Sequence, residues 1–415
     1  MRETLRLLAE RRFALLFAAR TVSVFGSSFA PVALAFAVLD IPGSSPTTLG
    51  LVLASQAVPE VVFMLAGGVI ADRLPRYRVM VTADLVAAAS FGALAALFLT
   101  GNAHLPLVMV LAACNGVATA MFTPALTGIV PEVIAADRLQ PANGLLRLST
   151  NGSRILGLAA AGGLVVAVGP GWAIAADATT FLVSACLLAT LRLPSVRQPS
   201  GASALADLRH GWREFVSRQW TWVIVVQFSV VNAAWSGVMV LGPVIAKRDL
   251  GGPAAWSLLL AAEAAGTVLG VLVAIRVRPA RPLLVGTLAV FPMAAPVLLL
   301  GVRAPILITA ASALVAGAAI DVFAVLWDTA LQQHVPPDAL SRVSSYDWLG
   351  SLALGPVGLI AAGPVAAAIG LDAALGACAL LIIVPTALAL LSPSLRNLRA
   401  GAPTPPAPTP NAEVR

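Results

Sequence analysis

Six ionisable side chains stand inside long apolar runs: Arg20, Glu60, Arg154, Glu263 and Asp321 near the run centres, and Asp328 somewhat shallower. An acid or base at the centre of a membrane helix costs about 2.5–3.5 kcal/mol on insertion scales. Five left unpaired would cost roughly 10–15 kcal/mol, comparable to the whole stability of a typical protein. Each must face a partner or a wet cavity. The chemistry open to such groups is charge movement: a carboxyl that alternates between protonated and ionised, or an ion pair that forms and breaks. Asp321 is the first candidate for the protonatable group; the competing reading locks it to Arg20 or to a backbone group. Glu60 lies eight residues before Gly68 and Glu263 seven before Gly270, so the two look repeat-related. Asn143, Arg147, Asn151 and Arg154 are spaced four, four and three apart and stripe one helix face. That face cannot look at lipid.

Other chemistries find little support. Cys114, Cys186 and Cys378 sit in apolar runs without metal or disulfide spacing and read as small packing residues. His104, His210 and His334 fall in loops or at run ends, so no metal site and no enzyme is expected. A phosphate-binding Gly-Lys-Ser/Thr loop is ruled out because the only lysine, Lys247, follows Ala246.

The elements that position the charges are membrane helices. The chain is 59% hydrophobic and only 11% charged, against about 25% charged for a soluble domain. Runs long enough to span a bilayer lie near 13–39, 49–71, 78–100, 105–129, 142–168, 172–191, 219–246, 254–275, 282–300, 304–331, 344–369 and 371–391. The break at Gly370 separates two that almost touch. With the N-terminus inside, twenty-one basic residues fall on the inner side and three on the outer. The positive-inside rule then places both termini in the cytoplasm. The same topology explains the formal charge of +7 without nucleic acid. Trp172, Trp220, Trp222 and Trp256 sit near run ends, as interface anchors do.

The stretch 193–218 divides the chain into six-run halves, 1–192 and 219–392. Within the divider Leu205, Leu208, Trp212, Phe215 and Val216 recur at helical spacing opposite Arg209 and Arg213. Both a helix lying on the membrane surface and a solvated linker fit them. The Pro-rich tail, 393–415, is expected to be disordered. Val130-Pro131-Glu132 with Asp137-Arg138-Leu139 precedes the fifth run, and Val335-Pro336-Pro337-Asp338 with Ser341-Arg342-Val343 precedes the eleventh. The landmark marks an internal repeat.

Gly68, Asp72, Arg73 and Arg76 stand in a short polar turn between the second and third runs. This turn resembles that of the major facilitator superfamily, roughly Gly-x-x-x-Asp-Arg-x-Gly-Arg-Arg/Lys, with Pro75 where the family prefers glycine. Pro124-Ala125-Leu126, Val130-Pro131-Glu132, Arg138-Leu139-Gln140, Ala142-Asn143, Arg154-Ile155-Leu156-Gly157 and the Asp177 region are similar to the bacterial exporter branch that includes the enterobactin exporter and macrolide efflux proteins. Two family features depart. Gly157 is followed by Leu158, not proline, and Ala112 stands where many proton antiporters carry an arginine.

The resemblance implies an all-α integral membrane protein of twelve transmembrane helices in two six-helix pseudo-repeats, with the cargo site near mid-membrane between them. It implies spans one, four, seven and ten as cavity walls. The candidates there are Arg20 and Ser23, Asn115 and Thr119, Asn232 and Trp235, and Asp321 and Trp327. It also places Arg154 beside Glu263 as a cross-half ion pair, and Asp72 near Ser344, a contact that favours the outward-facing state. The function expected is a monomeric secondary transporter in the bacterial plasma membrane. It would export a small amphipathic drug, antibiotic or siderophore-like metabolite, driven by protons and needing no cofactor. Uptake by the same fold, and a non-transporting sensor or scaffold, are the alternatives.

Overall fold

Lipid offers no partner to backbone N–H and C=O groups, so apolar runs of this length must close their hydrogen bonds internally as helices. A computed structural model describes residues 7–135, 138–191, 212–277 and 279–400, and the described residues hold twelve helices able to span a bilayer. We number them α1 (Arg11–Leu39), α2 (Pro46–Arg73), α3 (Arg76–Leu99), α4 (Leu105–Val133), α5 (Leu139–Val168) and α6 (Pro170–Ala189). The second six are α7 (Gln219–Asp249), α8 (Pro253–Arg276), α9 (Pro282–Gly301), α10 (Ile306–His334), α11 in two pieces (Pro337–Leu352 and Gly355–Ile369) and α12 (Leu371–Ala389).

Local signals set several boundaries. Ser45 caps α2 by accepting the Thr48 N–H at 3.3 Å while Thr48 Oγ1 accepts the Ser45 N–H at 3.2 Å, with Pro46 at the first helical position. A single glycine joins α5 to α6 and α11 to α12, and both Gly169 and Gly370 have φ 88°, a region L side chains resist. They stand 201 positions apart.

So do Gly116 and Gly317, which let helices touch backbone to backbone: α4 meets the Gln56 carbonyl of α2, and α10 meets the Glu263 carbonyl of α8. This register corrects the sequence alignment of the acids. The counterpart of Glu263 is Gln56, one helical turn from Glu60. Apolar spacing in the sequence misses that turn because it carries no record of where two helices cross.

A Cβ on Gly317 would press into that carbonyl, whereas one on Gly376 meets open space. Gly317→Val is therefore expected to lower stability by about 1–3 kcal/mol or more. Gly376→Ala should be neutral or gain up to about 1 kcal/mol from helix propensity. Thermal unfolding of both in lipid nanodiscs checks this.

The halves are bonded to each other toward the face opposite the termini. Lys247 Nζ donates to the Leu39 carbonyl at 2.6 Å and to Asp40 at 2.7 Å. Ser257 Oγ accepts the Gly162 N–H at 3.0 Å and donates to the Leu158 carbonyl. Gly50 of α2 packs on the Leu359 carbonyl of α11, and Gly363 of α11 on the backbone of Thr47. Toward the termini the polar stripe of α5 is uncovered, with Asn143, Arg147, Asn151 and Arg154 all exposed.

Two expectations need correction. Order continues past 393: Pro393–Arg396 is a helical turn, Leu395 is fully buried, and the Ala400 N–H donates to the Ala280 carbonyl. The apolar Leu395 has a pocket to fill, and proline content alone does not show it. Residues from 401 lie outside those described. Trp220 and Trp256 are buried, Trp220 against Trp327 and Trp256 against Gly242, while Trp172 and Trp222 are exposed. In the 193–218 segment only 212–218 is described; there Trp212 stacks on Phe215 at 5.7 Å and meets Tyr346 edge-on. Leu205 and Leu208 lie outside the described residues.

Candidate functional site

Crossing helices that touch only toward one face leave a wedge between them. That wedge is a cavity of about 520 Å³, within the range of small-molecule sites. Its walls come from α1 to α8, and only Trp235, Met239, Leu260 and Glu263 belong to the second half. Thr123 and Thr150 line it in the portions of α4 and α5 that lead toward the termini. The cavity therefore opens on the face that carries the termini.

Four carboxyl side chains border it, Glu60, Asp84, Asp177 and Glu263, against two guanidinium groups, Arg20 and Arg154. Arg20 lies over the Phe122 ring, 5.7 Å from its centroid, and is the cation that acts on Asp84. Asp84 is only 2% exposed and its Oδ2 has no hydrogen-bond partner. Ser184 is near enough to interact, yet its own hydroxyl is unpartnered too. Asp177 is fully buried, and its Oδ2 is likewise unpaired while Oδ1 meets the Thr180 hydroxyl at 3.4 Å. Asn115, 3% exposed, leaves its amide nitrogen without an acceptor. Each such buried polar group costs about 1–3 kcal/mol while unsatisfied, and more when charged. A folded chain retains that cost where something else completes the set.

Among the residues expected from sequence, Arg20, Ser23, Glu60, Asn115, Thr119, Arg154, Trp235 and Glu263 line the cavity. Asn232, Trp327, Asp321 and Asp328 lie elsewhere. Asn232 donates to the Ser351 carbonyl at 2.9 Å, tying α7 to α11. Trp327 is 5% exposed, donates its indole N–H to Asp347 at 2.9 Å and stacks on Phe323. Asp321 sits beside Gly270 at the α8–α10 crossing, where Thr267 and Arg154 act on it, not Arg20. Asp328 is exposed toward the termini, with Arg147 as its nearby cation. The α10 backbone contacts α8 so closely that Asp321 lies in that seam instead of the cavity.

Arg154 and Glu263 share the cavity and act on each other electrostatically, but no ion pair within 4 Å joins them among the described residues. The expected cross-half pair is thus not formed in this state. Sequence reasoning passed over Asp84 as a site residue and used Asp177 only as part of a resemblance. Their signal was available: both are acids set within apolar runs.

The polar turn is partly described. Gly68, Asp72 and Arg73 belong to α2, but their side chains, and with them the expected contact near Ser344, lie outside the described residues. Arg76 donates to the Gly128 carbonyl at 2.6 Å and pairs with Glu132 at 3.1 Å, fastening the start of α3 to the end of α4.

The family model described as Major Facilitator Superfamily matches residues 16–355. The chain belongs to that superfamily. It is 27% identical to the multidrug efflux pump Tap of Mycolicibacterium fortuitum over 92% of this chain and 96% of Tap. It is 22% identical to macrolide efflux protein A of Streptococcus pyogenes over 87% of this chain and 91% of that protein. The chain spans 44% and 63% of the length of two Bacillus subtilis relatives that it also matches, the uncharacterized transporters YkuC and YvqJ. The crystal structure of the nucleoside transporter NupG superposes with a TM-score of 0.75 at 13% identity, covering 92% of this chain and 98% of NupG. That likeness establishes the fold. The protein is therefore a multi-pass membrane protein of that superfamily, and the twelve spans among the described residues follow the facilitator arrangement.

Proposed function

We propose that this transporter exports an amphipathic cation from the cytoplasm in exchange for protons, by alternating access. The observation that carries the reading is the cavity itself: four carboxyl groups against two guanidinium groups, beside aromatic walls from Phe91, Phe122, Phe181 and Trp235. Excess carboxylate favours a cation, and the rings favour an apolar body with a positive end. The excess of basic residues on the face where the cavity opens supports a cytoplasmic assignment for that face, so cargo loads from inside. The efflux relatives fit this direction.

Exchange of one proton for one monovalent cation is electroneutral. The pH difference then sets the ceiling, about 1.4 kcal/mol or tenfold in concentration per unit. The test is accumulation of a fluorescent amphipathic cation in an efflux-deficient bacterium, with and without an agent that collapses the pH gradient. Expressing cells should hold several-fold less dye, and collapse of the gradient should abolish the difference. Equal dye in expressing and control cells, with the protein confirmed in the membrane, would overturn the reading.

A further inference from the structure

We propose that α5 and α10 close the mouth of this cavity with a two-rung charge ladder, Arg147 to Asp328 and Arg154 to Asp321. The inference rests on the alternating-access part of the proposed function and is independent of the cargo. The two arginines stand seven residues apart, and so do the two aspartates. Seven residues are two helical turns, about 10 Å of rise, so each pair keeps to one face and the two steps match. Consecutive spans reverse direction, so α5 and α10 run oppositely across the membrane. Arg147 and Asp328 therefore lie toward the termini, while Arg154 and Asp321 lie deeper. The electrostatics keep the same register: Arg147 is the cation that acts on Asp328, and Arg154 is the one that acts on Asp321.

Neither rung is formed while the mouth is open. Among the described residues no ion pair within 4 Å involves any of these four side chains, and Arg147, Arg154 and Asp328 are exposed. Both α5 and α10 pack on α8. Ser257 fastens α8 to Gly162 and Leu158 of α5, beyond Arg154. Rocking about that fastening carries the arginine stripe toward α10 or away from it. Neighbouring charges leave the rungs available. Asp328 acts on Asp347 of α11, but the Asp347 carboxyl already accepts from the Trp327 indole at 2.9 Å and the Ser351 hydroxyl at 3.3 Å. Asp328 is thus the acid left for Arg147. Glu263 shares Arg154 with Asp321, so the Arg147–Asp328 rung is the cleaner one to test. A pair made in only one state stabilises that state, here the one with the mouth shut and the opposite end open.

Lys247, the only lysine, reports that opposite end. Its rate of reaction with a water-soluble amine reagent is followed by peptide mapping on the full chain in lipid nanodiscs. Arg147→Asp and Asp328→Arg should each slow labelling by about fivefold or more, and the double variant carrying both changes should return close to the wild-type rate. The neutral changes Arg147→Gln and Asp328→Asn should slow it less and, combined, no more than either alone. Misfolding exposes Lys247 and speeds labelling, so it cannot imitate these results. Wild-type rates in the single variants, or a double reversal as slow as the singles, overturn the ladder. No cargo is present in this measurement, so its failure leaves cation export in place, and failure of the dye experiment leaves the ladder in place.

Discussion

Replacing Gly363 with leucine is expected to hold the transporter open on the face away from its termini and to cut transport at least tenfold. Gly363 of α11 lies against the backbone of Thr47, and Gly50 of α2 lies against the Leu359 carbonyl. These are contacts between the two halves, and backbone atoms cannot rotate aside as a side-chain tip can. Overpacking costs about 1–3 kcal/mol, while the two conformers of a switching protein differ by a few kcal/mol. One substitution is thus enough to reverse their populations. Both glycines lie inside helices, where leucine is favoured over glycine by up to about 1 kcal/mol, so the helices themselves should not suffer. The penalty falls only on the state in which the halves meet.

Lys247 reports the outcome. It is the only lysine in the chain, and it bridges to Asp40 and the Leu39 carbonyl at the closed end. Its labelling by a water-soluble amine reagent, located by peptide mapping, should rise sharply in Gly363→Leu. The Lys247–Asp40 pair is 39% and 54% exposed, so it contributes about 0–1 kcal/mol, and Lys247→Met alone should transport nearly normally. Unchanged transport together with unchanged labelling in Gly363→Leu would show that the glycine seam does not govern closure.

The twelve spans were legible because membrane length and backbone hydrogen bonding leave one solution for an apolar run of this length. The polar stripe on α5 was legible for a related reason: Arg147, Asn151 and Arg154 at helical spacing demand water, and the structure gives them the open side of the wedge. What the sequence hides is which helices touch. Asp321 and Glu263 look alike as acids in apolar runs, yet Gly317 draws α10 onto α8 and leaves only Glu263 in the cavity. Trp327 reads as a platform for cargo until Asp347, twenty residues on and in another helix, takes its N–H. Asp84 carries the same signal as the others, an acid in an apolar run, but it stands eight residues beyond Arg76, where an acid also reads as a helix-end charge.

Arg20→Leu should be among the most damaging single changes to stability, and Asp84→Asn should repair it. Breaking a buried charge pair by removing one member costs about 3–5 kcal/mol, because the other charge is left uncompensated. Arg20 and Asp84 are farther apart than an ion pair, so the loss is expected toward the low end of that range; the group left behind is Asp84, only 2% exposed and acted on by Arg20. The reverse change is milder. In Asp84→Asn the guanidinium of Arg20 keeps the Phe122 face and a wet cavity beside it, so the expected order of stability is wild type, Asp84→Asn, Arg20→Leu. The double variant carries neither charge and should regain most of what Arg20→Leu loses, since asparagine keeps the shape of the acid. Thermal unfolding of all four proteins in lipid nanodiscs gives the order directly. If the double variant is no more stable than Arg20→Leu, the loss lies in the packing of the arginine stem and the charge pairing is wrong. If Arg20→Leu matches wild type, Asp84 does not depend on that cation, and the negative pole of the cavity is balanced from another helix.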